Sequence, residues 1–323
     1  MQWHKRTFLA AAVWALALAG VVSGVVAQPA KTIRLILPFP PGGPADSMAR
    51  ILAARIEAVG GPNMVVESHP GAATEVGTEY VARSAPDGDT LAVISNSFIV
   101  LPNVRKLNYD PLTDFVPICQ VANFPPLIVV NAQSPYRTVA DLIDAARAKP
   151  GTVTLGTIGP ATSSQIAFEM LKQAAKVDMT FVPFNGYTPA IQALLSNTIT
   201  SALADYSTLQ GQLQTGKLRA VVTTSPTRIA ALPEVPTAVE LGYKDVAADF
   251  FGGVVAPAKT PKDKVAKLTE WFRAAIKDPA VIAKFKALGF FPTEACGADF
   301  AAIIRSDYDD YGRIIRRAHL QMQ

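Results

Sequence analysis

Short apolar runs alternate with stretches whose apolar residues recur at helical spacing along most of this chain. Ile33 to Leu37 is a strand-length apolar run, broken by Pro38-Phe39-Pro40-Pro41-Gly42-Gly43-Pro44. Beyond the break, Met48, Ile51, Leu52 and Ile56 share one helical face. That spacing predicts a helix over Met48 to Val59, stopped by Gly60-Gly61-Pro62. Met64 to Glu67 reads as a second strand, His69 to Thr74 as a second loop, and Val76, Tyr80 and Val81 as the next helix. Thr90 to Ile94 is a third strand, ending at Ser95-Asn96-Ser97. Strands alternating with helices predict an α/β lobe with a largely parallel sheet, and ligands of such sheets sit outside the strands' carboxyl ends.

Leu107 to Pro117 reads as an irregular connection, after which the same rhythm resumes. Leu127 to Asn131 is a strand. Thr138 caps a helix with Val139, Leu142, Ile143 and Ala146 on one face, and Lys149-Pro150-Gly151 ends it. Thr152 to Leu155 is a strand, Gly156 to Ser164 a glycine and hydroxyl loop, and Gln165 to Ala175 a helix, which repeats the opening architecture in a second lobe. Thr180 to Val182, Ile199 to Ala204 and Leu218 to Thr223 are further strands, with a helix over Ala190 to Leu195. Phe250 to Pro257 reads as a strand leading back to the first lobe. Helices near Lys262 to Lys277, Pro279 to Leu288 and Asp299 to Arg317 are expected to pack there.

With 323 residues, 50% apolar and 17% charged, the chain has a globular make-up and the length for two lobes of roughly 100–200 residues each. Its net charge of +4 is small and its Lys and Arg are scattered, which argues against a nucleic-acid partner. The start of the chain differs from the rest. Lys5-Arg6 precedes an apolar run from Phe8 to Val22, and Val25-Val26-Ala27 offers small residues before a cut at Ala27/Gln28, the pattern of a secretory signal peptide. No later apolar run reaches the ~20 residues of a membrane span, so the mature protein is expected to be soluble in the periplasm. An oxidising compartment permits a bridge between Cys119 and Cys296. Their wide separation gives no sign of proximity, and two buried free thiols are the expectation.

Signatures of catalysis are missing. There is no Gly-x-Ser-x-Gly elbow, His-Glu-x-x-His, phosphate-loop Gly-Lys-Ser/Thr or closely spaced cysteine pair. His69 and His319 stand in no triad order with Ser and Asp. A hydrolase would need a nucleophile–base pair such as Ser163 or Ser164 with His69. A binding protein whose two lobes close on a solute fits better and needs no cofactor or metal. Phe39, Pro41, Gly42, Gly43, Pro44 and Ala45 form a candidate carboxylate grip at a helix start, with a tight turn as the plain alternative. Asp46 would repel a bound carboxylate and is assigned to shaping the loop. Thr157, Thr162 and Ser163 offer hydroxyls, of which capping explains one. Asp205, at a strand end, is either solvated or receives a cation such as an ammonium on the solute.

An ordered set of motifs runs through nearly all the mature chain. It begins with Pro38-Phe39-Pro40-Pro41-Gly42-Gly43 with Asp46 and Arg50, then Glu67-Ser68-His69-Pro70-Gly71-Ala72 and Pro86-Asp87-Gly88-Asp89-Thr90-Leu91. Tyr109-Asp110-Pro111 with Asp114-Phe115, Val182-Pro183-Phe184-Asn185-Gly186, and Leu232-Pro233-Glu234-Val235-Pro236-Thr237 with Glu240 follow. The set resembles the Bug-type extracytoplasmic solute receptors of tripartite tricarboxylate transporters. The resemblance implies a type II-like, two-lobed periplasmic-binding-protein fold, each lobe a mostly parallel sheet flanked by helices, with strands crossing near Leu127 and Phe251. Lobe 1 would comprise residues 28–125 and 253–323, and lobe 2 residues 126–252. It further implies a monomeric receptor that delivers a small organic acid or amino acid to membrane transporter subunits. A sensor of the same fold, reporting to a signalling partner, is the alternative.

In that scheme the first loop's backbone grips a ligand carboxylate. Ala72, Ala73 and Thr74 of the second loop and the Thr157 to Ser164 loop line the rest; Ser95, Asn185 and Asp205 are further candidates taken from their own positions in this chain. This chain departs from the family pattern where Ala73-Thr74 replaces a usual glycine pair, which restricts backbone approach and adds a hydroxyl. Ala161 replaces a usual glycine, Gln165 a common His and Thr200 a common Asp.

Overall fold

Strand β1 (Ile33–Leu37) lies inside a sheet, flanked in parallel by β2 (Met64–Ser68) and β3 (Thr90–Ser95). Burial on both faces is why it reads as an almost unbroken apolar run. Helix α1 (Pro44–Ala58) covers it, with Met48, Leu52 and Ile56 fully buried at four-residue spacing. The sheet has the order β11-β4-β10-β3-β1-β2, where β4 is Phe115–Asn123, β10 Phe251–Pro257 and β11 Phe291–Pro292. Helices pack closely on both faces of β10. A Cβ at Gly252 would come within 2.7 Å of the Met48 sulfur, and one at Gly253 would strike the ring of Phe300 in α10 (Ala298–Arg317). These features come from a computed structural model of the chain, which describes residues 32–159 and 162–317. The expected signal peptide, Ala161 and His319 lie outside the described residues.

A second sheet has the order β7-β6-β8-β5-β9, comprising β5 (Pro126–Asn131), β6 (Thr154–Ile158), β7 (Thr180–Phe184), β8 (Ser201–Asp205) and β9 (Leu218–Thr223). Around it lie α4 (Val139–Ala148), α5 (Ser163–Ala175), α6 (Tyr187–Leu195) and α7 (Tyr206–Gln214). Thr138 and Asp141 cap α4 reciprocally, each side chain taking the other's backbone N–H.

The two-lobed α/β expectation holds, with corrections. Both sheets are mixed rather than mostly parallel. The chain leaves the first sheet through β4, enters the second through β5 and returns through β10. Of these, β10 runs antiparallel to its neighbours β3 and β4, and β5 antiparallel to its neighbours β8 and β9. The connection before Leu127 is also not irregular throughout, because β4 begins at Phe115.

The free-thiol expectation is overturned: Cys119 in β4 forms a disulfide with Cys296. The segment around Cys296 runs beside β4, with the Gln120 N–H donating to the Ala295 carbonyl at 2.8 Å and the Gly297 N–H to that of Ile118 at 2.9 Å. Sequence separation carried no hint of this pairing.

Residues from both sheets share one core, in which Phe168 and Val222 belong to the same cluster as Phe251, Phe300 and Ile304. Asn96, 2% exposed, fixes the returning strand. Its Nδ2 donates to the Asp249 carbonyl at 3.0 Å and to the Tyr311 hydroxyl at 3.1 Å, while its Oδ1 accepts the Phe251 N–H at 2.8 Å. Beside it, a cavity of about 710 Å³ is lined by Asp249, Asp307, Asp310, Lys244 and Arg313 over a floor including Met170 and Phe251.

Burial pushes the Asp249 carboxyl up to about 6. Burial, then repulsion from Asp310 and Asp249, pushes Asp307 up to about 7. A carboxyl raised in the folded state holds a proton that the unfolded chain has already released. Its contribution to stability therefore falls as pH rises from about 4 to about 7. Asp307→Asn should match wild type near pH 4 and exceed it by up to about 4 kcal/mol at pH 8, read from urea unfolding at both pH values. A constant difference between the two pH values would contradict this assignment.

Candidate functional site

The C-terminal ends of β1, β2 and β3 lie together because the three strands are parallel neighbours, with Leu37 opposite Ser68. The first loop leaves β1 there. Phe39 packs partly on the core, and its carbonyl accepts the Ser68 hydroxyl at 2.6 Å. Pro41, Gly42 and Pro44 are exposed. Gly42 turns the chain at φ +86°, in the left-handed region that glycine enters without penalty. Its N–H donates to Asp46 Oδ2 at 3.0 Å, while Asp46 Oδ1 receives Arg50 Nε at 2.8 Å. Arg50 first, and the Gly42 N–H after it, hold the Asp46 carboxyl below its usual range. Asp46 is thus tied into the loop as a brace.

Gly43 is the N-cap of α1 and supplies no side-chain hydrogen bond, and Pro44 follows at the first helical position. Proline suits that position because its missing N–H would have been unsatisfied anyway. The first-turn N–H of Ala45 has no intrahelical partner, and the helix start favours an anion. Among the described residues no side chain competes for this helix start.

The second loop holds an unusual conformation. Ala72, Ala73 and Thr74 have φ of +46°, +54° and +90°, three L-residues in succession in the left-handed region, at a cost of about 1–2 kcal/mol each. The chain therefore keeps here a backbone that glycine would adopt freely. Ala72 and Ala73 are exposed and Thr74 is buried. The Thr74 hydroxyl shares a 3.0 Å hydrogen bond with Ser97, which shares another of 3.0 Å with Ser95. Three hydroxyls thus line up at the end of β3 and the start of α3 (Ser97–Val104).

The remaining candidates gather at the ends of β6, β7 and β8, again parallel neighbours. Thr157 is fully buried and its hydroxyl donates to the Leu203 carbonyl at 2.7 Å, across the sheet. Thr162 caps α5, accepting the Gln165 N–H at 3.3 Å, and Ser163 opens that helix. Asn185 is exposed at the end of β7. Asp205, 6% exposed, caps α7: its Oδ1 accepts the Thr208 N–H at 2.9 Å and the Ser207 hydroxyl. Burial, with the charge of Asp205 nearby, pushes the Tyr187 hydroxyl well up, and that hydroxyl shares a 2.9 Å bond with Ser164. His69 instead lies 3.6 Å from Glu67 and against the Tyr80 ring. Ser164 and His69 therefore have different partners.

The candidates form two groups, one at the strand ends of each sheet. Sequence reasoning missed Ser97, Tyr187, Asn96 and Arg105, which help to build these regions. A Ser-x-Ser pair after a strand was the one available signal, and Arg105 lies too far from the second loop in sequence to have given any.

A family profile for the tripartite tricarboxylate transporter family receptor matches residues 48–320. The chain belongs to this receptor family. It is similar to protein BugT of Bordetella pertussis, with 29% identity covering 95% of this chain and 96% of that protein. Among solved structures, the receptor resembles Rpa4515 of R. palustris with adipate, at 26% identity and a TM-score of 0.79, covering 91% of this chain and 99% of that one. It also resembles MatC from Rhodopseudomonas palustris with bound malate, at 27% identity and a TM-score of 0.75, covering 89% and 99%. Among the described residues no helix of the receptor is long and apolar enough to cross a membrane.

Proposed function

We propose that this receptor is exported to the periplasm, where as a monomer it captures a small carboxylate-bearing metabolite between its lobes and delivers it to the membrane subunits of its transporter. The observation that carries this reading is the start of α1, where Gly43 caps without a side chain and Asp46 braces the loop. That leaves an anion-favouring helix start open to solvent. The adipate- and malate-bound relatives support the ligand class. Binding requires no cofactor and no covalent step, and contacts made only when both lobes meet the solute drive closure.

A thermal-shift screen of dicarboxylates, hydroxy acids and amino acids, malate and adipate included, tests the reading. A ligand at one hundred times its Kd adds about 2.7 kcal/mol to the folded state, a shift of several degrees. No shift with any carboxylate, alongside shifts with neutral solutes, would sink it.

Asp205 enters the proposal as the receiver of a cationic group. Asp205→Asn keeps an acceptor for the α7 cap and removes the charge. Amino-acid binding should then weaken at least tenfold while the corresponding plain acid is unaffected, measured by calorimetry. Equal losses for both would leave Asp205 with its cap alone.

A further inference from the structure

Three consecutive left-handed L-residues do not stay so unaided, and two partners of this turn come from α3, which reaches it from both ends. At the start of α3, Ser97 bonds the Thr74 hydroxyl at 3.0 Å. Just past its end, Arg105 Nη2 donates to the Ala72 carbonyl at 2.7 Å and pairs with Glu75 at 2.7 Å. Glu75 opens α2 (Glu75–Ala82), the helix that follows the turn. From inside, Thr78 donates its hydroxyl to the Thr74 carbonyl at 2.9 Å. Arg105 gives something up to reach this position, since its Nε is buried with no hydrogen-bond partner. A surface guanidinium serving only as charge would turn that N–H to water.

We propose that Arg105 is a positioning residue: by gripping the Ala72 carbonyl and the Glu75 carboxylate, it holds the Gly71–Thr74 turn in its left-handed form and so sets the surface this turn presents to the solute. The consequence for the solute rests on the receptor reading above; the grip on the turn does not. Glycine adopts left-handed backbone without strain, so a turn built from alanine and threonine needs an external clamp, and a turn rebuilt from glycine does not.

The test compares wild type, Arg105→Met, Arg105→Lys, and Arg105→Met combined with Ala72→Gly and Ala73→Gly. In the ligand-free mature protein, labelled with ¹³C and ¹⁵N, the Cα and Cβ shifts of Ala72 and Ala73 report their backbone conformation directly. They should leave the left-handed range in Arg105→Met and move part of the way in Arg105→Lys, which keeps the charge on a shorter side chain that reaches both partners less well. The melting temperature of both variants should stay within a few degrees of wild type. Unchanged shifts in Arg105→Met overturn the proposal.

Affinity for the acid with the largest shift in the thermal screen should fall at least tenfold in Arg105→Met and recover most of that loss with the two glycines. Failure to recover would mean that Arg105 acts on the ligand by its charge and not through the turn, and overturns the positioning role. If no acid binds wild type, the receptor reading fails on its own, and the shift comparison still decides what Arg105 does.

Discussion

Gly43→Asp should abolish carboxylate binding while leaving the fold intact. Gly43 has φ −84° and ψ 179°, an extended conformation open to any residue, and a Cβ there would meet only the Pro40 carbonyl, at 4.0 Å. Aspartate is among the best N-cap residues, so the helix gains a few tenths of a kcal/mol. The neighbouring Asp46 carboxylate offsets part of that gain. The melting temperature should therefore move by no more than about 2 °C. Binding is another matter. The new carboxylate takes the first-turn N–H groups and sets a negative charge close to the bound anion. At about 4 Å and an effective dielectric of 20 the repulsion is about 4 kcal/mol, enough for a loss of at least 100-fold. Gly43→Asn caps equally well without the charge and should lose only about tenfold. Calorimetry on the three proteins separates the two contributions. Wild-type affinity in Gly43→Asp would remove the start of α1 from the site.

Removing the disulfide should give the largest stability effect. The bridge closes a sequence separation of 177 residues. In the chain-entropy view its loss releases about 5 kcal/mol of unfolded-state freedom at most. The two backbone hydrogen bonds on either side of it, between Gln120 and Ala295 and between Gly297 and Ile118, keep the strand seated and moderate the loss. The double variant Cys119→Ala/Cys296→Ala is expected to lose 2–4 kcal/mol, roughly 10 °C in Tm. Reductant should act slowly on native wild type, because Cys119 is fully buried and Cys296 is 3% exposed. Two reactive thiols in denatured, unreduced wild type would contradict the bridge.

The parts of this protein that were legible in its sequence are those where one physical signal dominates. Around β1 and α1, a buried run, a Pro-Gly break and a four-residue apolar spacing all agree, and the structure follows them closely. Helix α3 escaped notice because Phe98, Ile99, Val100 and Leu101 are all buried, so it has no polar face to create a period, and Pro102 lies inside it. Helix α7 escaped for the opposite reason, being mostly polar with buried Tyr206 and Leu209 alone. Strand β4 was hidden by Pro117, which reads as a break but sits opposite Val255 in the ladder.

The site divides along the same line. The turn into α1 could be read from local chemistry, since a proline and glycine break before a four-residue apolar spacing marks a helix start anywhere in a chain. What the Thr157 hydroxyl does depends on which way a strand residue faces, and here it faces Leu203 across the sheet. The left-handed turn at Ala72 to Thr74 is the harder case. Alanine favours it nowhere, and the side chain that grips it is more than thirty residues away.

The place of β10 has a consequence for how the protein is made. Its seven residues lie between β3 and β4, which are not paired with each other in the sheet order. Until residue 257 has been synthesised, the first lobe is therefore two separate pieces with an open seam between them. The second sheet, drawn from the single stretch Pro126 to Thr223, is complete before β10 begins at Phe251. Assembly of the first lobe thus waits until 257 of the 323 residues have been made, and its two halves cannot lock while the second sheet is forming.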